Sequence, residues 1–453
     1  MIGSRSRRSR LTLLDGLQFV AIAWAFFVPQ AGRAEETIDD AMDWSLRGSF
    51  SIKADIARQE SLDARVLGAY EAFLPTVTWT HSRNLHSRIS YSPDYTWLTS
   101  SYYGVDISTR NEPTLYGLQL SMPLFDGFKR YNELLAAQDE RDAGLHLQSD
   151  KKQSVSLEAT DAYLATIRDR EILSLRRRLI SDISGIAERV KAQLSVHDTT
   201  LADSALADSR VSVAKASYEQ AQSELAASEI ELARLTRSKV EELARPAAPK
   251  HDIPATLDEL DQLVAKDNPK LRAARLHASA AKHEADSAYS QFLPTADLLV
   301  SRTDETNLNS VQSRLRDTTV KLLFKVPLYQ PGSFSTVGRM NATARQKYYE
   351  SLDLERSAIA SARTLFVARL STIRQIAQMA RRIADLEKAV AAQKVELSAG
   401  LRTIVDVLNI RSELTEARVA KAAMEFQRER LAFALAAAVG RLAPPMSAAS
   451  ADR

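Results

Sequence analysis

No proline interrupts the chain between Pro123 and Pro246 or between Pro331 and Pro444, and both windows carry apolar residues at helical spacing. Leu164, Ile167, Ile172, Leu175, Leu179 and Ile183 illustrate the period, against a background of Ala, Glu, Arg, Gln and Lys that favours helix. Each window holds one interior turn: Ser195-Val196-His197-Asp198-Thr199 in the first, and Ser398-Ala399-Gly400-Leu401 in the second, with Gly400 suited to a helix C-cap. The pattern predicts long helices over 129–194 and 200–238, then over 336–398 and 402–440. At about 1.5 Å per residue the first would run roughly 100 Å, longer than an ordinary domain.

The two windows belong to a tandem duplication. Phe73-Leu74-Pro75-Thr76 returns, at an offset of 219, as Phe292-Leu293-Pro294-Thr295. The run Leu118 to Phe125, with Pro123, is answered at an offset of 204 by Leu322 to Tyr329, with Pro327. The shortening falls in the loop between the motifs, where a repeat tolerates deletion. The expected units are 35–245 and 255–442, each read as helix, strand, strand, helix, helix, joined by a proline-rich linker at 246–254. Residues 443–453 read as a disordered tail.

The segments between the helical windows change period. Val320, Leu322, Phe324, Val326 and Leu328 share one face while Lys321 and Lys325 lie on the other, and Leu118, Leu120, Met122 and Leu124 repeat the alternation opposite Gln119 and Ser121. Strands are expected at about 74–90, 114–126, 294–304 and 317–329, with Val77 and Trp79, and Ala296, Leu298 and Val300, as shorter partners. A half-buried soluble sheet has the same alternation. In lipid, four strands close no barrel of useful bore and open edges are not tolerated, so several chains would have to pool their strands. Tyr95, Trp97, Tyr102 and Tyr103 mark an interfacial or outward loop, or packing filler.

Residues 1–34 read as a secretory signal, with a basic start from Arg5 to Arg10, an apolar stretch around Phe19 to Val28, and Ala31-Gly32-Arg33-Ala34 before cleavage. A membrane anchor is the alternative, weakened by the short apolar core and Asp15. This segment holds five of the 60 Lys and Arg and one of the 57 Asp and Glu, leaving 55 positive against 56 negative groups. The remainder has no basic stripe for nucleic acid. Cysteine is absent, which excludes disulfides, thiolate zinc, a cysteine nucleophile and a lipoprotein anchor. His81, His86, His146, His197, His251, His277 and His283 are scattered, with no H-E-x-x-H, G-x-S-x-G or phosphate-binding glycine loop. No enzyme activity, cofactor or metal is expected.

A leader without a lipidation cysteine, two repeats with paired strands, and proline-free helices of this length resemble the TolC-like outer membrane efflux family over residues 38–442. The most specific point is Gly400-Leu401-Arg402-Thr403-Ile404-Val405-Asp406-Val407-Leu408, which is similar to the family's G-x-R-T-I-V-D-V-L signature. The resemblance implies a homotrimer in the bacterial outer membrane: a 12-stranded β-barrel continued by a 12-helix periplasmic α-barrel. It implies an exit duct of a tripartite export system, served by a periplasmic adaptor and an inner-membrane ABC or proton-driven pump. Protein secretion and small-molecule efflux both use this architecture, and the missing lipidation cysteine leans toward secretion.

The same resemblance assigns Asp203 and Arg402 to a periplasmic gate, with Leu397 where relatives have a tyrosine. It assigns the turns Ser195, Val196, His197 and Asp198, and Ser398, Ala399, Gly400 and Leu401, to contact with the adaptor. From spacing, Asp406 and Asn409 lie at i and i+3 and form rings in a symmetric oligomer, where carboxylates favour cations. A helix N-terminal charge is the other reading of Asp406. The competing function is a periplasmic coiled-coil adaptor or scaffold, which leaves the four alternating strands unexplained.

Overall fold

The computed structural model describes residues 36–85, 88–91, 107–110, 113–237, 243–245, 254–306, 314–398 and 403–443. The expected leader, nearly all of the linker and the tail, the aromatic loop beyond Tyr91, and Ala399 to Arg402 lie outside them. Residues Ile38–Gly48 (α1) and Phe50–Glu71 (α2) lead into strand Thr76–Arg83 (β1), the short strands Arg88–Tyr91 (β2) and Ile107–Arg110 (β3), and Thr114–Phe125 (β4). Two long helices follow, Lys129–Ser195 (α3) and Leu201–Thr236 (α4). The series then repeats as Leu257–Asp267 (α5), Pro269–Ala288 (α6), Thr295–Thr306 (β5), Arg314–Lys325 (β6), Ser333–Ser398 (α7) and Ile404–Val439 (α8).

The helix starts follow from capping. Thr37 and Thr256, related by the offset of 219, accept from the backbone N–H of Asp40 and Glu259 at the starts of α1 and α5. Ser49 and Asn268, at the same offset, cap α2 and α6, and Pro269 occupies the first turn of α6, where a missing N–H costs nothing. The start of α7 lies at an offset of 204 from that of α3, and α8 starts and ends at an offset of 203 from α4. Duplicated sequence has therefore produced duplicated backbone, each repeat opening with a short helix beyond the five elements expected.

Packed apolar clusters hold the helices together. Near the sheet, Val66 of α2 packs on Leu134 and Ala137 of α3. At mid-height, Ile38, Ala41 and Met42 of α1 meet Tyr163 and Leu164 of α3, Leu232 of α4, and Phe426 and Phe433 of α8. There the Tyr163 hydroxyl shares its proton between the carbonyls of Glu36 at 2.8 Å and Ala244 at 2.7 Å. The counterpart of this cluster joins Leu260 and Val264 of α5 to Ala362 and Phe366 of α7 and Leu435 of α8. A last cluster closes the far end, where α3, α4 and α8 turn.

Strands β1, β4, β5 and β6 form one antiparallel sheet in that order, and β2 pairs with β3 separately. Several sequence expectations need correction. The first strand does not run from 74 to 90: it ends at Arg83, opposite Thr114, where β4 itself begins after Pro113. Strand β5 is no shorter partner but 12 residues long, because as an interior strand it is held on both edges. Strand β6 stops at Lys325 instead of continuing to 329, since β5 starts opposite it at Thr295 and supplies no further partner. Helix α7 begins at Ser333 instead of 336, α8 at Ile404 instead of 402, and α4 ends at Thr236 before a left-handed Arg237. Among the described residues, no helix is long and apolar enough to cross a membrane.

Candidate functional site

Two regions carry the features that function requires: the sheet and the helix tips. On the sheet, the cross-strand pairs put Val77, Leu120, Val300 and Val320 in one row, and Met122, Leu298 and Leu322 in the next. Trp79, Leu118, Leu322 and Phe324 on this face are all exposed. The opposite face carries Thr78, Gln119, Ser121, Ser301, Lys321 and Lys325. The sheet is thus mostly apolar on one side, where Arg302 is an exception, and mostly polar on the other, where Leu299 and Leu323 also lie, with both edge strands, β1 and β6, unpaired along their outer sides.

At the tips, the chain leaves α3 through a hydrogen-bonded reversal. The N–H of His197 donates to Leu194 at 3.1 Å and that of Asp198 to Gln193 at 2.9 Å, with His197 left-handed at φ 61. Ser195 turns its hydroxyl onto the Ala192 carbonyl, while Val196 projects outward. Helix α4 then starts on Thr200, whose hydroxyl oxygen accepts from the Asp203 N–H at 3.1 Å and donates to its carboxylate at 2.7 Å. Thr199 donates to the same oxygen at 3.3 Å. These contacts, the Thr200 hydroxyl foremost, hold the Asp203 carboxyl below the usual carboxylate range against the opposing effect of desolvation.

The second tip repeats this chemistry at an offset of 203. Thr403 caps α8, donating from both its N–H and its hydroxyl to the Asp406 carboxylate at 3.2 and 2.8 Å. Asp406 is therefore a capping-box residue whose charge suits the positive end of the helix dipole, and the neighbouring Asn409 is exposed. Sequence reasoning singled out both aspartates and missed the threonines. The T-x-x-D spacing at 200–203 and 403–406 was the available signal. Arg402, named above with Asp203 for the gate, and Leu401, Gly400 and Ala399 of the second turn lie outside the described residues.

Beneath the tips, Leu179, Ile183, Ile186 and Val190 of α3 bury against Ala207 and Ala214 of α4 and Val407 and Leu408 of α8, with Leu397 packed alongside. Ion pairs lace the surface above: Arg411 to Asp182 at 2.7 Å, Arg382 to Glu413 at 2.8 Å and Lys191 to Asp208 at 2.8 Å. Such exposed pairs contribute about 0–1 kcal/mol each. No group of His, Asp and Glu able to hold a metal occurs among the described residues.

Comparison with known proteins agrees with this architecture. Residues 260–441 match the family model "Outer membrane efflux protein". The outer membrane efflux protein BepC of Brucella suis is 24% identical over 413 residues, 90% of this chain and 86% of its own. The outer membrane protein TolC of Salmonella enteritidis is 25% identical over 352 residues, 73% of this chain and 69% of its own. Among solved structures, CusC superposes with a TM-score of 0.76 at 15% identity, covering 90% of this chain and 92% of its own.

Proposed function

Because the chain belongs to the TolC-like outer membrane efflux family, an outer-membrane export channel with a periplasmic helical extension, we propose that three copies form the exit duct of a tripartite export system. The observation that carries this reading is the four-stranded sheet with one apolar face and two open edges, standing on helices of 67 and 66 residues. Closed alone, four strands at about 4.8 Å spacing and a tilt near 40° give a cylinder about 8 Å across, which side chains fill. Twelve give about 24 Å, wide enough for cargo. The open edges then disappear, as lipid requires.

The duct is passive. It draws its energy from an inner-membrane pump, and its periplasmic end meets an adaptor at the turns around Val196 and Gly400. The exposed tip of the first turn, with Val196 and Leu201 outward, supports a docking role for that end. Asp203 and Arg402 are proposed to hold the tips closed, and Asp406, with Asn409 beside it, to ring the narrow end with negative charge that favours cations. Three copies of a weak ion pair acting on one two-state entrance suffice to bias its population.

The test is single-channel current in a planar bilayer from detergent-purified protein, comparing wild type with Asp203→Ala/Arg402→Ser. A trimer with a small cation-selective current that rises several-fold in the double variant is expected. Unchanged current from inserted trimers would remove the gate while keeping the duct. A monomer soluble without detergent would overturn the duct and restore the scaffold.

A further inference from the structure

The duplication makes its own geometric standard for the boundary between copies. Adding the offsets 219 and 204 to the β1–β4 pair Thr76 and Ser121 lands on Thr295 and Lys325, which are paired between β5 and β6. Trp79 with Leu118 becomes Leu298 with Leu322, and Arg83 with Thr114 becomes Arg302 with Thr318, again pairs that the sheet contains. The two hairpins therefore have one register.

Inside the chain, the junction from the first repeat to the second is β4 beside β5. Leu118 faces Arg302, Leu120 faces Val300 and Met122 faces Leu298, and after a bulge Phe125 faces Ala296. The sheet offers a second junction of the same kind that a single chain cannot make: β6 ends the second repeat and β1 begins the first. Both edge strands are exposed and each carries apolar side chains on one face, with Trp79 at 67% and Phe324 at 66% of full exposure.

We propose that β6 of one copy pairs with β1 of the next in the β4–β5 register, so that Phe324 faces His81, Val326 faces Trp79 and, past a bulge at Leu328, Tyr329 faces Val77. This rests on the duct reading above and specifies the surface by which its copies join. The register accounts for the early end of β6. In β4, Met122 to Phe125 lie beyond the reach of β1, whose pairing stops at Ser121, and are held as strand by β5 alone. Their equivalents, Val326 to Tyr329, are reached by β1 of the next copy alone, and in the single chain they leave the strand with Leu328 at 94% exposure. Apolar residues meet on the apolar face, Trp79 against Val326, and Pro327 takes the place that Pro123 holds opposite Asp297 in β4, where the β5 ladder proceeds without its N–H.

The chain contains no cysteine, so an introduced pair is the only disulfide possible. Directly opposed residues have Cβ atoms about 4.5–5.5 Å apart and diagonal ones about 7–8 Å, and only the former lie near disulfide distance. Full-length Trp79→Cys/Val326→Cys and His81→Cys/Phe324→Cys, oxidised in outer membranes and run without reductant, should each yield covalent trimers. The mismatched Trp79→Cys/Phe324→Cys and each single variant should not, by at least tenfold in crosslinked yield. The second matched pair reads the same register should loss of Trp79 impair assembly. Crosslinking of the mismatched pair in preference to both matched ones would overturn the register while leaving the trimeric duct in place. Monomer alone from every pair, together with a monomeric wild type on native gels, would overturn the duct reading on which the register rests.

Discussion

The grooves between α2 and α3 and between α6 and α7 occupy the same place in the two repeats and are filled differently. In the first, Gly144 lets Gln59 come close enough for its side-chain amide to donate to the Arg141 carbonyl at 3.2 Å. A Cβ at 144 would stand 2.5 Å from both Gln59 Oε1 and Leu62 Cδ1. In the second, the equivalent of Gly144 is Tyr348 and that of Gln59 is Ala278, and a cavity of about 770 Å³ remains beside Arg275, Lys282, Tyr289 and Arg345. The turns diverge as well. Phe128 (φ 64) opens α3 where Gly332 (φ 89) precedes α7, and left-handed His197 is the equivalent of Gly400. Duplication has kept the backbone while the side chains that fill it, and the strain stored in its turns, have drifted apart.

The strongest way to break this contrast is to give the first groove the residue of the second. Gly144→Tyr forces α2 off α3 and should cost about 2–3 kcal/mol, read as a lower thermal unfolding midpoint by circular dichroism, whereas Tyr348→Gly costs about 1 kcal/mol through helix propensity. Next is Gln153, buried on α3, whose Oε1 accepts from the N–H groups of Leu442 and Ala443 at 2.8 and 2.9 Å. Gln153→Ala leaves these donors buried without a partner and should cost about 2 kcal/mol, while Ser357→Ala, at the equivalent exposed place on α7, should fall within about 0.5 kcal/mol.

At the tips the effects are smaller. Thr200→Val removes the cap of α4 and should cost about 1 kcal/mol, seen as faster hydrogen exchange in its first turn. Because Thr200 lowers the Asp203 pKa, the linked stabilisation is complete above the ordinary carboxylate range and is lost as pH falls through the lowered value. In Thr200→Val that acid transition, followed by a fluorophore placed at Val196, should move to higher pH. Last, His197→Gly relieves a left-handed non-glycine residue and should stabilise the first tip by up to about 1 kcal/mol, which matched unfolding curves would resolve.

The same contrast explains what could be read in advance. The helices were legible because their period is local; the caps Thr37, Thr200 and Thr403, each set with a residue three positions on, carry an equally local signal that the sequence reading missed. Asp203 and Asp406 were legible separately, the first through the family resemblance and the second through its spacing to Asn409. The close of β6 at Lys325 was not, since Val326 to Leu328 alternate as well as any strand and lack only a partner. Nor did any local pattern show that Gly144 admits Gln59 from a distant part of the chain, or that Tyr163 pins both Glu36 and Ala244.

By itself the sequence determined the helices, their caps, the repeat offsets and the apolar face of each strand, because hydrogen bonds between near neighbours and a side-chain period are written in consecutive residues. The tertiary structure decided the order β1-β4-β5-β6, the length of each strand, the filling of each groove and which edges stay open. Those depend on which distant segment supplies the partner for a backbone N–H or the volume beside a side chain, and residues far apart in the chain specify that only once they have packed together.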